Sequence, residues 1–261
     1  MQNYEFLLRP PINTLFIGKT HHHLGRVEST NAWLKQWLES AETSVPEGLV
    51  VTAEEQFAGK GQGDKSWITS PGLNLTVSIL LRPVFLEPRQ VFYLNKAIAL
   101  SVHDTLATET HGVQIKWPND MYYEKKKLAG ILIENILGSY RIQQSIIGIG
   151  INLNQTDFDA DLPNPTSLKL ITGRVIDLSD LLEKLCTQIE KYYLQLRAAQ
   201  FTTIDALYHH HLFGHQKESE FIINNNKIKA TVNGVSASGK LILSTADNKL
   251  ELSVGEVEWV L

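Results

Sequence analysis

One short stretch has the residue types and spacing to do chemistry between anions. In QIKWPNDMYYEKKKLAGILIE, residues 114–134, Lys116, Asp120 and Lys127 place charges of both signs close together, and Asn119 adds a neutral donor and acceptor. Fixed cations beside a carboxylate suit a carboxylate attacking a phosphate, where repulsion and developing charge must be offset. The elements that must position these groups are two apolar, β-prone runs, 113–117 and 128–134, which read as the strands of a hairpin. Pro118 has no N–H to donate and holds Trp117 extended, so the first strand breaks there and presents Asn119 and Asp120 to a ligand. Taken alone, the same stretch is also an ordinary hairpin with a lysine-rich turn.

Three further stretches carry polar or small residues where a plain core would not. Residues 28–31, Glu-Ser-Thr-Asn, lead into AWLKQWLES, where Trp33, Leu34, Trp37 and Leu38 recur at helical spacing. Ser29 or Thr30 is the expected N-cap, and the cluster also offers donors and acceptors to a polar ligand. Residues 49–53 form an apolar strand that runs through Gln56 into a loop with glycines at 59, 61 and 63 and lysines at 60 and 65. Trp67, a Pro71-Gly72 turn and a strand over 73–81 follow. A strand–loop–strand context excludes a Walker A loop and a dinucleotide fingerprint, because each needs a helix after its glycines. The loop is either a flap that closes on a ligand or a hairpin tip. Finally, the strand over 141–154 puts Gly148, Gly150 and Asn152 on one face, leaving room beside a polar strand end.

The rest of the chain reads as scaffold. At 261 residues and 43% hydrophobic, it can bury a full core in one large domain or a large and a small one. A net charge of −4 leaves no basic footprint for nucleic acid. The single cysteine, Cys186, excludes an internal disulfide and fits the core stripe of a helix. No apolar run approaches the ~20 residues of a membrane span, and the N-terminal residues do not read as a signal peptide, so the expectation is a cytoplasmic protein with no membrane association. Residues 14–17 suggest a short strand, followed by His21, His22 and His23, whose alternating directions make a poor chelate. Amphipathic helices are expected from Glu87-Pro88 to about 110, from a Ser179 cap to about 199, and from Thr203 toward Gly214. The last of these carries His209, His210 and His211, read as a polar helix end favoured by the dipole. After His215, short alternating runs joined by polar turns predict a small all-β barrel of roughly 47 residues.

Taken in order and spacing, STNAWL, AEEQFAGKGQGDKSW, KWPNDMYYEKKKLAGIL and GIGINLN resemble the biotin protein ligase family, closely over 29–154 and more loosely to the end. The resemblance implies an α+β fold: a mixed sheet flanked by helices, akin to the class II aminoacyl-tRNA synthetase core (1–213), with an SH3-like barrel (214–261). It implies an enzyme that uses MgATP to convert biotin to biotinyl-5′-AMP and then transfers biotin to one lysine of a biotin carboxyl carrier protein. ATP and Mg2+ are the implied cofactors, and the protein itself would be a monomer or a homodimer. Ser29, Thr30, Asn31 and Gln56 resemble the biotin head-group contacts. Gly59, Lys60, Gly61 and Gln62 fall in the closing loop, and Gly130 falls on the biotin side. Lys127 matches the lysine between the reacting carboxylate and phosphate, whereas Lys125 and Lys126 match nothing. Lys60, Gln62, Trp67, Lys116, Asn119, Asp120, Lys127 and Asn152 fall on the nucleotide side, with Asp120 also the metal or incoming-lysine contact.

Two departures matter. The family loop commonly reads Gly-Arg-Gly-Arg, and here Lys60 and Gln62 stand at the arginine positions, so phosphate clamping and retention of the adenylate are expected to be looser. Repressor members carry an N-terminal helix-turn-helix, whereas only 28 residues precede Ser29 here, so no DNA binding is expected. A lipoate or octanoate ligase is the nearest competitor, but it lacks the KWPND signature and needs a slot for an apolar chain. A biotin sensor without catalysis is suggested only by the lost arginines; Lys127 and Asp120 argue against it.

Overall fold

The computed structural model describes residues 13–63, 65–138 and 141–260. Seven strands form a mixed sheet: β1 (His21–Val27), β2 (Val50–Gln56), β3 (Asn74–Leu81), β4 (Val113–Lys116), β5 (Asp120–Tyr123), β6 (Lys126–Leu137) and β7 (Ile142–Asn152). Their spatial order is β1-β2-β3-β7-β6-β5-β4; β1 runs parallel to β2 and the other neighbours are antiparallel. The described helices are α1 (Thr30–Ser40), α2 (Val91–Ala107), α3 (Leu168–Thr172), α4 (Leu178–Arg197) and α5 (Phe201–His210). A second, antiparallel sheet follows, with β8 (Glu218–Ile223), β9 (Asn226–Val235), β10 (Leu241–Ser244), β11 (Lys249–Leu252) and β12 (Glu258–Trp259) in the order β11-β10-β9-β8-β12. The expected α+β class with a small C-terminal β unit is therefore what the chain adopts.

Period-two alternation divides the large sheet into a packing face and a working face. Val77 and Ile79 of β3, Ile131 of β6, and Ile147, Ile149 and Ile151 of β7 pack with α2 and α4 in the main core. On the opposite face Val51, Leu80 and Ile146 pack with Leu34 of α1 at one end only. The remainder of that face is free to carry polar and small residues.

Several elements differ from the sequence reading. The expected hairpin of 113–117 and 128–134 is a three-stranded meander, because Met121, Tyr122 and Tyr123 are themselves β-prone and pair on both sides. Residues 14–17 are not a strand: Thr14 Oγ1 donates to the Ile17 carbonyl, and Glu190 accepts from the backbone N–H groups of Leu15, Phe16 and Ile17. The strand begins instead at His21, with His21 and His23 both against Thr52 Oγ1. Helix α2 is preceded by a 3₁₀ turn at Pro88–Gln90, ends at Ala107, and is buried on almost every side, including Lys96, since other segments cover the face that would otherwise meet water. Asp177, not Ser179, caps α4 by accepting from Asp180 N. Helix α5 starts at Phe201 and ends before Gly214, and the short α3 was not anticipated. Cys186 is fully buried, and desolvation pushes its thiol up to about 12, as befits a core residue.

Candidate functional site

The working face is organised by one cross-strand row. Ala53, Thr76, Gly150, Gly130, Asp120 and Lys116 are successive partners across β2, β3, β7, β6, β5 and β4. Because paired residues project to the same side, four small residues make a floor that ends in a carboxylate and an ammonium. Ser78 and Gly148 are partners in the neighbouring row.

The polar cluster at the β3 end is built around the start of α1. Ser29 is the N-cap, but its side chain makes no capping bond. Gln56, at the end of β2, supplies that function: its Oε1 accepts from Thr30 N at 2.8 Å and from Thr30 Oγ1 at 3.0 Å. Ser78 Oγ lies 2.7 Å from Thr30 Oγ1 and 2.5 Å from Asn31 Oδ1. Asn31 Nδ2 donates to Glu134 at 2.7 Å. Ser29, Thr30, Asn31 and Gln56 are thus brought together as expected, all buried except the half-buried Gln56. Ser78 and Glu134 complete the cluster and were missed. The available signal was a threonine and a serine at alternating positions 76 and 78 of an otherwise apolar strand.

At the other end Lys127 Nζ lies 2.8 Å from Asp120 Oδ1, with both side chains partly accessible. The backbone of Lys127 is fixed on both sides, its N–H donating to Asn164 O and its carbonyl accepting from Thr166 N. Lys116 stands next in the row, and burial lowers its pKa while Asp120 works in the opposite direction. Lys125 and Lys126 are exposed, as expected.

Three expectations gain structural detail. The room left by Gly148 and Gly150 is filled by protein. A Cβ at Gly148 would lie 2.6 Å from Asn31 Oδ1, and one at Gly150 would lie 2.2 Å from the Trp67 ring. Trp67 therefore lies on the glycine floor, also close over Gly130, with its Nε1 buried and unpartnered. Asn119 has one amide hydrogen engaged, Nδ2 donating to the Ile131 carbonyl because β6 passes beside this turn, while the residue also lines a cavity beside Pro118. Asn152 likewise donates from Nδ2 to Thr166 O at 3.0 Å, holding the loop that in turn fixes Lys127.

The glycine loop forms a narrow hairpin. Gly61 N donates to Lys65 O, Trp67 N donates to Gly59 O, and Lys60 bridges to Ser66. Lys60 and Gln62 are exposed, and Gln62 shares a cavity of about 340 Å³ with Pro118, Asn119 and Lys240.

A second polar cluster lies outside this face. His103, Asp104 and His211 present ligand atoms within 4.8 Å of one another. Asp104 is already engaged by His103 Nδ1, Tyr192 OH and Lys191 Nζ, and an adjacent ammonium disfavours a cation. His209 and His211 are packed against other segments, and burial lowers both pKa values, that of His211 to about 4. The reading of this cluster as a polar, dipole-favoured helix end does not hold for these two. Among the described residues no helix is long and apolar enough to cross a membrane.

Residues 24–152 match the Biotin/lipoate A/B protein ligase family. Over 224 residues the chain is 31% identical to the bifunctional ligase/repressor BirA of Bacillus spizizenii, covering 84% of this chain and 69% of the relative. It is 31% identical over 190 residues to the biotin--[acetyl-CoA-carboxylase] ligase of Paracoccus denitrificans, covering 69% and 76% respectively. Among solved structures, the biotin protein ligase from Aquifex aeolicus in complex with biotin and ATP superposes with a TM-score of 0.77 at 27% identity, over 93% of this chain and 100% of that one.

Proposed function

The chain belongs to the biotin protein ligase family, and from this membership we infer that its working face joins biotin to a carrier protein in a reaction driven by ATP. The observation that carries the reading is the row of small residues that links a neutral polar cluster to the Lys127–Asp120 pair. Three interstrand spacings, about 14 Å across the sheet, and two residues along the strand separate Ser78 from Asp120, about 16 Å in all. A head group can be held at one end while its carboxylate reacts at the other, once the Trp67 ring that lies on Gly150 and Gly130 gives room to the chain between them. Hydroxyls and amides from Ser29, Thr30, Asn31, Gln56 and Ser78 suit a ureido ring, which both donates and accepts, better than the apolar chain of lipoate.

In the first step the biotin carboxylate attacks the α-phosphorus of ATP. The bond to the β-phosphate breaks, and pyrophosphate leaves. Lys127 and Lys116 offset the meeting of two anions and the charge that develops at phosphorus. Lys60 and Gln62 lie in the loop over the adenylate, and Trp67 walls the nucleotide side above Gly130 and Gly150. Asn119 and Asn152 also shape the turn and the loop through one amide hydrogen each. In the second step the ε-amine of the carrier lysine attacks the anhydride carbonyl, the bond to AMP breaks, AMP leaves with the electron pair, and the proton lost from the amine passes to solvent. Asp120 attracts the incoming amine.

Asp120 is also the single carboxylate available to a metal on this row. Because Lys127 already pairs with it, a magnesium ion would be held mainly by the nucleotide's own phosphates and by water. The ion would supply additional charge neutralisation at the phosphates. The protein partner is a biotin carboxyl carrier protein, and the reading divides the chain at Gly214, with 1–213 catalytic and 214–261 the C-terminal barrel.

Pyrophosphate exchange into ATP, measured with biotin or lipoate and without carrier, tests the reading. Exchange with biotin alone is expected. Exchange with lipoate alone would assign the chain to the other branch, and none with either would make it a sensor.

A further inference from the structure

The proposed phosphate-side residues lie at the end of β4, which is the edge strand of the large sheet and has only β5 beside it. An edge strand is the least constrained place in a sheet to hold a fixed cation. The C-terminal unit and the segment leading to it supply the missing constraint on three sides.

On the open edge, Ile115 N donates to His211 O at 2.9 Å and Phe213 N donates to Ile115 O at 2.8 Å, so the interdomain segment pairs with β4. Lys116 and Trp117 are consecutive. Lys116 Nζ stands 5.1 Å from the centre of the Tyr122 ring and 5.8 Å from that of the Trp259 ring, the latter on β12. Trp117 donates its indole N–H to the Gly239 carbonyl at 2.9 Å, in the turn between β9 and β10.

That turn is itself locked. Lys96, whose side chain is wholly buried, donates to Asp205 at 2.6 Å and to the carbonyls of Val235 and Ser236 at 3.1 and 3.3 Å. His209 Nε2 accepts from Val235 N at 2.9 Å. Gly239 has φ near +90°, and a Cβ there would lie 2.4 Å from the Phe92 ring. A buried ammonium is costly unless fully satisfied, so this arrangement tolerates little drift of the turn. Simple docking of a small β unit would need only apolar contact. Here polar contacts converge on the two residues that lead directly into Asn119 and Asp120.

We propose that Trp117 and Trp259 are positioning residues: through them the C-terminal unit grips β4 and sets Lys116, Asn119 and Asp120 for the nucleotide half of the reaction. The inference rests on the ligase reading above. It goes further by making nucleotide use, and not biotin binding, depend on contacts outside the large sheet.

The test uses the full chain. Trp117→Phe removes one donor and keeps a ring; Trp259→Leu removes the aromatic face, and Trp259→Phe restores part of it. Biotin-dependent ATP–pyrophosphate exchange gives kcat and the KM for ATP, calorimetry without nucleotide gives the Kd for biotin, and thermal melting checks the fold. Loss of one buried hydrogen bond or one cation–π contact is expected to raise the KM for ATP, or lower kcat, by about fivefold. Biotin affinity should stay within about twofold, because its head-group contacts lie on β2, β3 and the start of α1. Trp259→Phe should recover most of the loss. A purely structural role would lower the melting temperature without separating ATP from biotin. ATP kinetics unchanged in folded Trp117→Phe, or biotin affinity falling in step with them, would overturn the inference. If Trp259→Leu fails to fold, Trp117→Phe decides alone. No exchange by the wild-type protein would remove the ligase reading and this inference with it.

Discussion

Gly148 and Gly150 are two residues apart on one strand and face the same way, yet alanine at each should impair a different substrate. Neither has a positive φ, so alanine is not strained by the backbone and the effect is one of space. At Gly150 the new methyl would lie 2.2 Å from Trp67 Cε2 and 2.4 Å from its Nε1. Ordinary contact begins near 3.4 Å, so the indole must withdraw by about 1 Å. The backbone N–H of Trp67 is bonded to Gly59 O, so the glycine loop shifts with the residue. Overpacking of this kind costs about 1–3 kcal/mol of stability, tolerable for a domain of this size. A displacement of 1 Å beside the reacting groups costs up to about 10²-fold in rate, here read in the KM for ATP or in kcat. At Gly148 the methyl would instead lie 2.6 Å from Asn31 Oδ1 and 2.9 Å from its Nδ2. Asn31 then loses its geometry toward Ser78 and Glu134. A hydrogen bond to a charged group is worth about 1.5–3 kcal/mol, which corresponds to a weakening of biotin binding by about ten- to a hundredfold. The assay is the exchange reaction with each substrate varied in turn, together with calorimetric titration of biotin. Gly150→Ala should leave biotin binding nearly intact, and Gly148→Ala should leave the KM for ATP nearly intact. The same pattern in both variants, or the reverse pattern, would refute the assignment of the two halves of the floor.

Other outcomes follow from the same geometry. Lys127→Met should lower exchange by about 10²–10³-fold by removing a fixed cation from the developing charge, while costing about 1 kcal/mol or less in stability because the pair with Asp120 is partly exposed. Normal exchange in the folded variant would dismiss the role, and Lys125→Ala and Lys126→Ala serve as neutral controls. Gln62→Arg should slow single-turnover release of biotinyl-AMP without greatly changing its formation, since an arginine adds a charge-assisted contact from an exposed loop position at the cavity rim; equal release rates would place the clamp elsewhere. Acid should destabilise the fold well above the carboxylate range. Burial holds His21 at about 4, against 6.5 in the unfolded chain, so the unfolded state binds more protons between those values. Stability from this group is intact above pH 6.5, falls as pH drops toward 4, and levels off below. The loss is on the order of 3 kcal/mol, and His211 acts in the same direction. Urea midpoints across that range should show the fall, and His21→Gln should reduce it, leaving the part carried by His211; a flat wild-type profile would contradict the burial argument.

What the sequence by itself determined was mostly local. Period-two alternation placed Gly148, Gly150 and Asn152 on one face, helical spacing placed α1 behind Ser29, and turn residues marked all five strands of the C-terminal sheet. Motif spacing was enough to single out Lys127 and Asp120, because both lie within one meander where short-range geometry dominates. Pairing across the chain was another matter. The middle strand β5 was hidden, since Pro118 and the lysines suggested one long turn where Met121, Tyr122 and Tyr123 had two partners waiting. Nothing near Gly150 in sequence says that Trp67 will fill the space above it, nor that the amide of Asn119 will be engaged by Ile131. Lys96 is the plainest case. On an amphipathic helix a lysine reads as a solvent-facing residue, and only the arrival of Asp205 and the carbonyls of Val235 and Ser236 offsets the cost of burying it completely. Such contacts join residues more than a hundred positions apart, so their energy depends on which surfaces meet, and that is decided by the packing of whole elements rather than by the pattern within any one of them.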